Sequence, residues 1–169
     1  DSRKVEERMV YRYVNAPYGD HTYVNGICSV CGEKDENYSS VTLTGKNFSL
    51  SFEDEILVNM YYIVSDITTV KEHGILVFNT NPGTAAFDKA DAVYEGSVAD
   101  NMFIATTDGI AAKKMGDDRY YCAYSQLENG EYVYSRVVQY SPKKYAFNML
   151  GRASTSAKLK VLCVAMLNY

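Results

Sequence analysis

The chain has 169 residues, a formal net charge of -4 and 47% hydrophobic residues. That length supports one good hydrophobic core and a small appendage. The mild acidity argues against a nucleic-acid partner, which requires a dense Lys/Arg surface, and no apolar run reaches the ~18 residues needed to cross a bilayer.

The first residue is Asp1 and no signal peptide is visible, so a mature form or an excised fragment is expected. Residues 1–20 hold VEERMVYRYV, readable as a strand or a short helix, and then NAPYGD, a turn-rich exit. The next segment, HTYVNGICSVCG, residues 21–32, carries His21, Cys28 and Cys31 with Gly32 directly after the second cysteine. EKDENYSS follows as a polar linker, and the expected boundary between two units falls at residues 40/41.

From residue 41 the pattern becomes that of strands. In VTLTGKNFSLSF, Phe48, Leu50 and Phe52 fall on one face by the period of two. ILVNMYYIV, residues 56–64, is nearly continuous apolar and reads as a central strand. ILVF at 75–78 is a short strand ended by the NTNPG turn. A polar stretch around AFDKADAVYEGSVADN precedes another strand, MFIATT, at 102–107. Arg119–Gln126 and Tyr132–Val138 form the arms of a hairpin whose turn holds Asn129–Gly130, a pair suited to positive φ.

Two helices close the chain. Ser141–Pro142 is a capping hydroxyl with proline at the first helical position, Tyr145 and Met149 share a face, and Gly151 ends the helix. The second begins at Ser154 or Ser156, with Leu159, Leu162, Cys163 and Met166 as its apolar stripe. Strands first and helices last, without alternation, speak against a doubly wound fold. The expected class is mainly β: an antiparallel β-sandwich over residues 41–169 with two short C-terminal helices, behind an N-terminal knuckle-like segment.

Two cysteines two residues apart can place both sulfurs on one ion, and a following glycine lets the chain turn back toward them. His21, Cys28 and Cys31 are therefore candidate zinc ligands, with Asp20, Glu33 or a residue of the first strand as the fourth. A second reading keeps the turn without a metal, as a free dithiol or a disulfide. His73, between Glu72 and Gly74, reads as a loop histidine. Cys122 and Cys163 read as small buried hydrophobes, with a disulfide between them as the alternative. No HExxH run marks a catalytic zinc. Glu53, Asp54 and Glu55 are a carboxylate cluster of the kind a glycosidase uses, but a solvated turn explains them more cheaply; Asp117 and Asp118 carry the same plain reading, or a loop calcium site. No catalytic residue is assigned.

Sixteen tyrosines and no tryptophan leave one recognition feature. Tyrosines on an open sheet face stack on sugar rings or grip a protein. Tyr61, Tyr62, Tyr120, Tyr121, Tyr124, Tyr132 and Tyr134 are the pool, and because adjacent residues face opposite ways at least half belong to the core. Tyr61, Tyr121, Tyr132 and Tyr134 are the expected ligand-binding set.

HTYVNGICSVCGE resembles a small cysteine-containing linker unit of large secreted or cell-surface proteins of gut Firmicutes. Fuller copies carry a cysteine two residues before the histidine; Gly19 stands there in this chain, which leaves the implied zinc set one ligand short. NFSLSFEDEILVNMYYIVSD, GIAAKKMGDDRYYCAYSQLENGEYVYS and SPKKYAFNML with SAKLKVLCVAMLNY resemble the opening strands, later strands and helical pair of the β-rich domain of unknown function that follows such units. The resemblance implies an extracellular or cell-surface module without catalysis, a spacer or adhesion unit. Its implied partners are adjacent domains and a cell-wall or host glycan or protein. The alternative is a carbohydrate-binding or glycan-processing module that uses surface tyrosines.

Overall fold

A computed structural model describes residues 21–24, 27–33 and 41–169. The sequence-based expectations for residues 1–20, for Gly19 and Asp20 as ligand positions, and for the 34–40 linker lie outside the described residues. The chain divides into two compact units, residues 1–40 and 41–169. In the first, β1 (Tyr23–Val24) pairs antiparallel with β2 (Ile27–Cys28).

The second unit is a β-sandwich. One sheet holds β3 (Leu43–Phe52), β4 (Ile56–Val64), β8 (Met102–Thr106) and β7 (Ser97–Ala99), in that spatial order. The other runs β10 (Tyr132–Tyr134), β9 (Arg119–Leu127), β5 (Val70–Phe78), β6 (Ala92–Glu95), with β11 (Val138–Tyr140) also on β9. Every pairing is antiparallel.

Strand periodicity explains the core. In β4, Val58, Met60, Tyr62 and Val64 point inward and are buried. They meet Ile75 and Val77 of β5 and Tyr121 and Ala123 of β9. Phe48 of β3 stacks on Tyr140 at 4.2 Å and meets Tyr121 edge-on at 5.3 Å, joining the two sheets through aromatic contacts. The expected shared face of Phe48, Leu50 and Phe52 ends early, because Phe52 at the strand terminus is 45% exposed. On the outer face of β4, Asn59 is buried but satisfied: its amide donates to Ser51 Oγ at 2.7 Å, and its Oδ1 accepts from Thr106 Oγ1 at 2.7 Å.

The second sheet is covered on both sides. Leu76, Phe78, Cys122 and Tyr124 point away from the main core into a smaller cluster that Phe87, Tyr120, Tyr132 and Tyr134 close. This double burial is why ILVF reads as a continuous apolar run rather than an alternation. β5 itself begins five residues earlier than that run, at Val70, after which a bulge between Val70 and Glu72 shifts the register. The strand so lengthened includes His73. Its Nδ1 lies 2.7 Å from the hydroxyl of the fully buried Tyr62, and burial holds its pKa below the ordinary value. The expectation of a loop histidine is corrected: His73 is a strand residue whose imidazole is hydrogen-bonded to the Tyr62 hydroxyl.

The polar stretch before β8 also hides structure. It forms a 3-10 turn at Phe87–Lys89 and the edge strands β6 and β7. The β9–β10 turn matches its sequence signal, with Gly130 at φ 89. The second arm does not run on from Tyr132 to Val138. It breaks at Ser135, whose hydroxyl accepts the Ala123 N–H at 2.9 Å in place of a ladder carbonyl, and resumes as β11.

Helices α1 (Pro142–Leu150) and α2 (Ala157–Asn168) follow. Ser141 accepts the Lys144 N–H and Ser156 accepts the Leu159 N–H, each at 3.3 Å, satisfying one orphan donor at each start. Gly151 caps α1 with ordinary right-handed dihedrals, while the Thr155 hydroxyl donates to the Met149 carbonyl at 2.7 Å. Ala146, Cys163 and Met166 bury against the core; Leu162, expected in that stripe, is 39% exposed. All four cysteines are free, so the Cys122–Cys163 disulfide is not formed. No helix among the described residues is long and apolar enough to cross a membrane.

Candidate metal centre and the tyrosine faces

The small unit is built around a turn. Across the β1–β2 pair, Tyr23 sits opposite Cys28. The Cys28 N–H donates to the Glu33 carbonyl at 2.7 Å, and the Gly32 N–H donates to the Cys28 carbonyl at 2.9 Å. Closing the turn this tightly requires φ +75 at Gly32, the left-handed region where a side chain is strained. The backbone thereby returns over its own second strand and brings Cys31 and Glu33 beside Cys28.

His21, Cys28 and Cys31 place one ligand atom each within 4.8 Å of one another, and this group can hold a metal ion. Cys31 Sγ lies 3.5 Å from His21 Nδ1. A thiolate sulfur and an imidazole nitrogen on one tetrahedral zinc stand about 3.5 Å apart, given Zn–S of ~2.3 Å and Zn–N of ~2.0 Å. Cys28 is buried, while Cys31 is exposed and His21 half-buried.

Electrostatics favour a thiolate at one position. The Cys28 thiol is lowered to about 6, because the backbone N–H groups of Cys31 and Val30 point at its sulfur and the His21 ring adds a hydrogen bond. At Cys31 the backbone N–H of Glu33 favours the thiolate, but burial and the neighbouring Cys28 outweigh it, and the thiol is raised. The hydrogen bond to Cys28 raises His21, and the Glu33 charge adds to it against burial. Metal binding would replace these shared protons with one cation.

Among the described residues, the carboxylates of the second unit form no metal-type group. Glu53, Asp54 and Glu55 are exposed in the turn between β3 and β4. Asp66 accepts the Thr68 N–H at 2.9 Å and its hydroxyl at 2.6 Å, bonds that lower its carboxyl and make it a turn residue. Asp118 accepts from Gln139 Nε2 at 2.6 Å.

The tyrosines divide by strand parity. Tyr121 is 0% exposed inside the sandwich, where burial raises its phenol to about 12. Its ring is core and cannot stack on a ligand, which corrects its inclusion among the binding tyrosines. Tyr62 and Tyr124 are buried too. Tyr61 is half-buried on the outer face of the first sheet, its hydroxyl 3.5 Å from Ser49 Oγ. Tyr132 and Tyr134 are half-buried on the outer face of the second sheet, stacked with rings 9° from parallel and 6.2 Å apart. The Tyr134 hydroxyl accepts the Phe87 N–H at 3.0 Å. Beside this pair lies an open groove of about 560 Å3, lined by Asn81, Tyr120, Tyr134, Arg136, Val137 and Gln139. The sequence offered no signal for that groove, since its lining is gathered from residues 81–85, Tyr120 and 134–139.

No family model matches the chain, and no curated protein matches it. Among solved structures, the chain is similar to pectate lyase PelI from Erwinia chrysanthemi. The complex with tetragalacturonic acid matches at 16% identity and a TM-score of 0.34, over 60% of this chain and 27% of that one. A second PelI structure matches at 19% identity and a TM-score of 0.37, over 62% and 28%. The chain spans under a third of the length of these lyase chains. A likeness at this level carries no argument about activity.

Proposed function

We propose that this chain is a non-catalytic module of a larger extracellular or cell-surface protein, in which zinc holds a small joint unit ahead of a β-sandwich spacer or adhesion domain. The observation that carries the reading is the meeting of His21, Cys28 and Cys31 on one turn, with ligand atoms within 4.8 Å. Two thiolates and an imidazole make a zinc-type donor set, softer than calcium or magnesium would select. The sandwich supports a spacer role through its packing: Val58, Met60, Ile75, Tyr121 and Ala123 fill the space between the sheets. Placement outside the cell rests on the resemblance of residues 21–33 and 41–169 to modules of gut Firmicutes surface proteins. The partners proposed are the flanking domains and a cell-wall or host component. Metal analysis of protein purified without added zinc tests the reading: one zinc per chain is expected, and a ratio near zero sinks it.

A second reading is glycan binding on the outer face of the second sheet. The stacked Tyr132–Tyr134 pair beside the Arg136 groove favours it, since aligned half-exposed rings offer a platform for sugar faces. Affinity electrophoresis against soluble cell-wall polysaccharides should then retard the wild-type chain. Tyr134→Ala should weaken that binding at least about tenfold, as loss of a central aromatic anchor does. A wild type that migrates freely through every polysaccharide removes this reading.

A further inference from the structure

We infer that the groove beside the Tyr132–Tyr134 pair takes a saccharide that carries carboxylates, with Arg136 gripping the acid; this rests on the glycan-binding reading above. The groove encloses about 560 Å3, within the roughly 300–1,000 Å3 of small-ligand sites. Its charge is one-sided. Among the described residues that line it, Arg136 is the one charged side chain, and no aspartate or glutamate joins it. Arg136 is exposed and makes no ion pair among the described residues. Its backbone is pinned, because the Ser135 hydroxyl donates to the Arg136 carbonyl at 3.2 Å in the break that ends β10. Two carboxylates lie close by without lining the groove: Asp118, which accepts from Gln139 Nε2 at 2.6 Å, and Asp88, whose charge reaches Tyr134. A single cation near two acids suits one carboxylate at a time and not a dense polyanion such as a nucleic acid.

The uncharged groups carry the same bias toward donation. Asn81 Oδ1 accepts the Gly83 N–H at 2.9 Å, which leaves the Asn81 amide N–H groups to donate. The Tyr134 hydroxyl accepts the Phe87 N–H at 3.0 Å, which leaves its own proton to donate. Gln139 is turned the other way: its Nε2 is spent on Asp118, so its Oε1 is left to accept from a sugar hydroxyl. The guanidinium can meet a carboxylate with two parallel N–H bonds. The Tyr132 and Tyr134 rings, 9° from parallel, supply the flat platform beside it. An acidic peptide offers the charge without the ring faces that this platform suits, so an acidic sugar fits both halves of the surface.

Binding of the full 169-residue chain to alginate and to polygalacturonate, each beside the same polymer with its carboxyls reduced to alcohols, tests the inference. Affinity electrophoresis in calcium-free buffer gives the dissociation constants. The wild type should bind the acidic polymers at least about tenfold more tightly than the reduced ones, and added salt should shrink that margin. Arg136→Gln should erase the margin and leave affinity for the reduced polymers unchanged. Arg136→Lys should keep part of it, because the charge remains while the two-pronged grip is lost. Residue 136 is exposed, so both variants should melt with the wild type. Equal affinity for acidic and reduced polymers overturns the acidic preference and leaves the glycan reading standing. A margin that survives in Arg136→Gln overturns the assignment to this groove. Polyglutamate bound as tightly as the polyuronates overturns the saccharide in favour of charge alone. A wild type that binds no polymer in either form overturns the glycan reading, and this one with it.

Discussion

If zinc occupies the His21–Cys28–Cys31 group as proposed, stripping it is expected to unfold residues 21–33 and to leave the sandwich intact. Among its described residues the small unit has little else to hold it. Its strands are two residues each, and Cys28 is its one buried side chain among the described residues with an assigned burial. Units of this size rarely fold without a metal or disulfides. Zinc binding contributes about 10–16 kcal/mol to zinc-finger peptides near neutral pH, and that free energy is folding free energy. Among the described residues, the core of the sandwich is drawn from residues 41–169. Thiol labelling reads the outcome directly. In the zinc-loaded protein Cys28 and Cys31 are metal-bound and Cys122 and Cys163 are buried, so a maleimide should label none rapidly. After chelation Cys28 and Cys31 should label within minutes, while Cys122 and Cys163 stay protected until the sandwich melts. Cys28→Ser should reproduce the chelated state with an unchanged sandwich Tm. Four thiols labelled at once on chelation, or a sandwich Tm that falls with the metal, would sink the idea of an independent staple.

What the sequence disclosed follows from how strongly each residue's burial is patterned. Ile56–Val64 was legible to the residue, because a central strand with one face in the core and the other half-covered is apolar almost throughout. β6 and β7 were not, because edge strands bury only every second residue weakly and AVYE beside SVA looks like a loop. His73 was misread for a local reason. Glu72 and Gly74 flank it as they would in a turn, but Glu72 follows the bulge after Val70 and Gly74 is required by a close backbone approach within the strand. The tyrosines show the limit of parity. Alternation correctly separated Tyr120 from Tyr121, yet could not say which was outside, because helices, Phe48 and Tyr140 cover one side of that sheet and Phe87 covers the other. At the metal centre, Cys28 and Cys31 were legible from their spacing and His21 from its nearness in sequence. Glu33 was one carboxylate among several until the turn at Gly32 placed it beside His21.

Gly96→Ala is expected to be among the most damaging single-methyl substitutions in the sandwich. Gly96 sits between β6 and β7, and its N–H donates to the His73 carbonyl at 2.9 Å. A Cβ there would overlap the Tyr62 hydroxyl and crowd the His73 ring, with Cε1 at 2.8 Å. Neither neighbour can retreat. Tyr62 is fully buried, its ring packs against Phe103 at 5.9 Å, and the His73 ring lies tilted against Phe103 at 4.4 Å. Overpacking of this kind costs about 1–3 kcal/mol, and prising the Tyr62 hydroxyl off the half-buried His73 Nδ1 breaks their hydrogen bond for a further ~1–3 kcal/mol. A loss of about 2–6 kcal/mol corresponds to a Tm lower by roughly 10–20 °C in a domain of this size. The cause is testable by a double-mutant cycle with Tyr62→Phe. Removing the hydroxyl alone should cost about 1 kcal/mol, but in the Gly96→Ala background it also makes room for the methyl. The two losses should therefore fall short of additive by at least about 1 kcal/mol. Gly74→Ala is the control: there the Cβ meets the Tyr94 backbone carbonyl across the β5–β6 pair, so Tyr62→Phe should rescue nothing. Strict additivity in the Gly96–Tyr62 cycle would mean that Gly96 is needed for its backbone conformation and not for the room it gives the Tyr62–His73 pair.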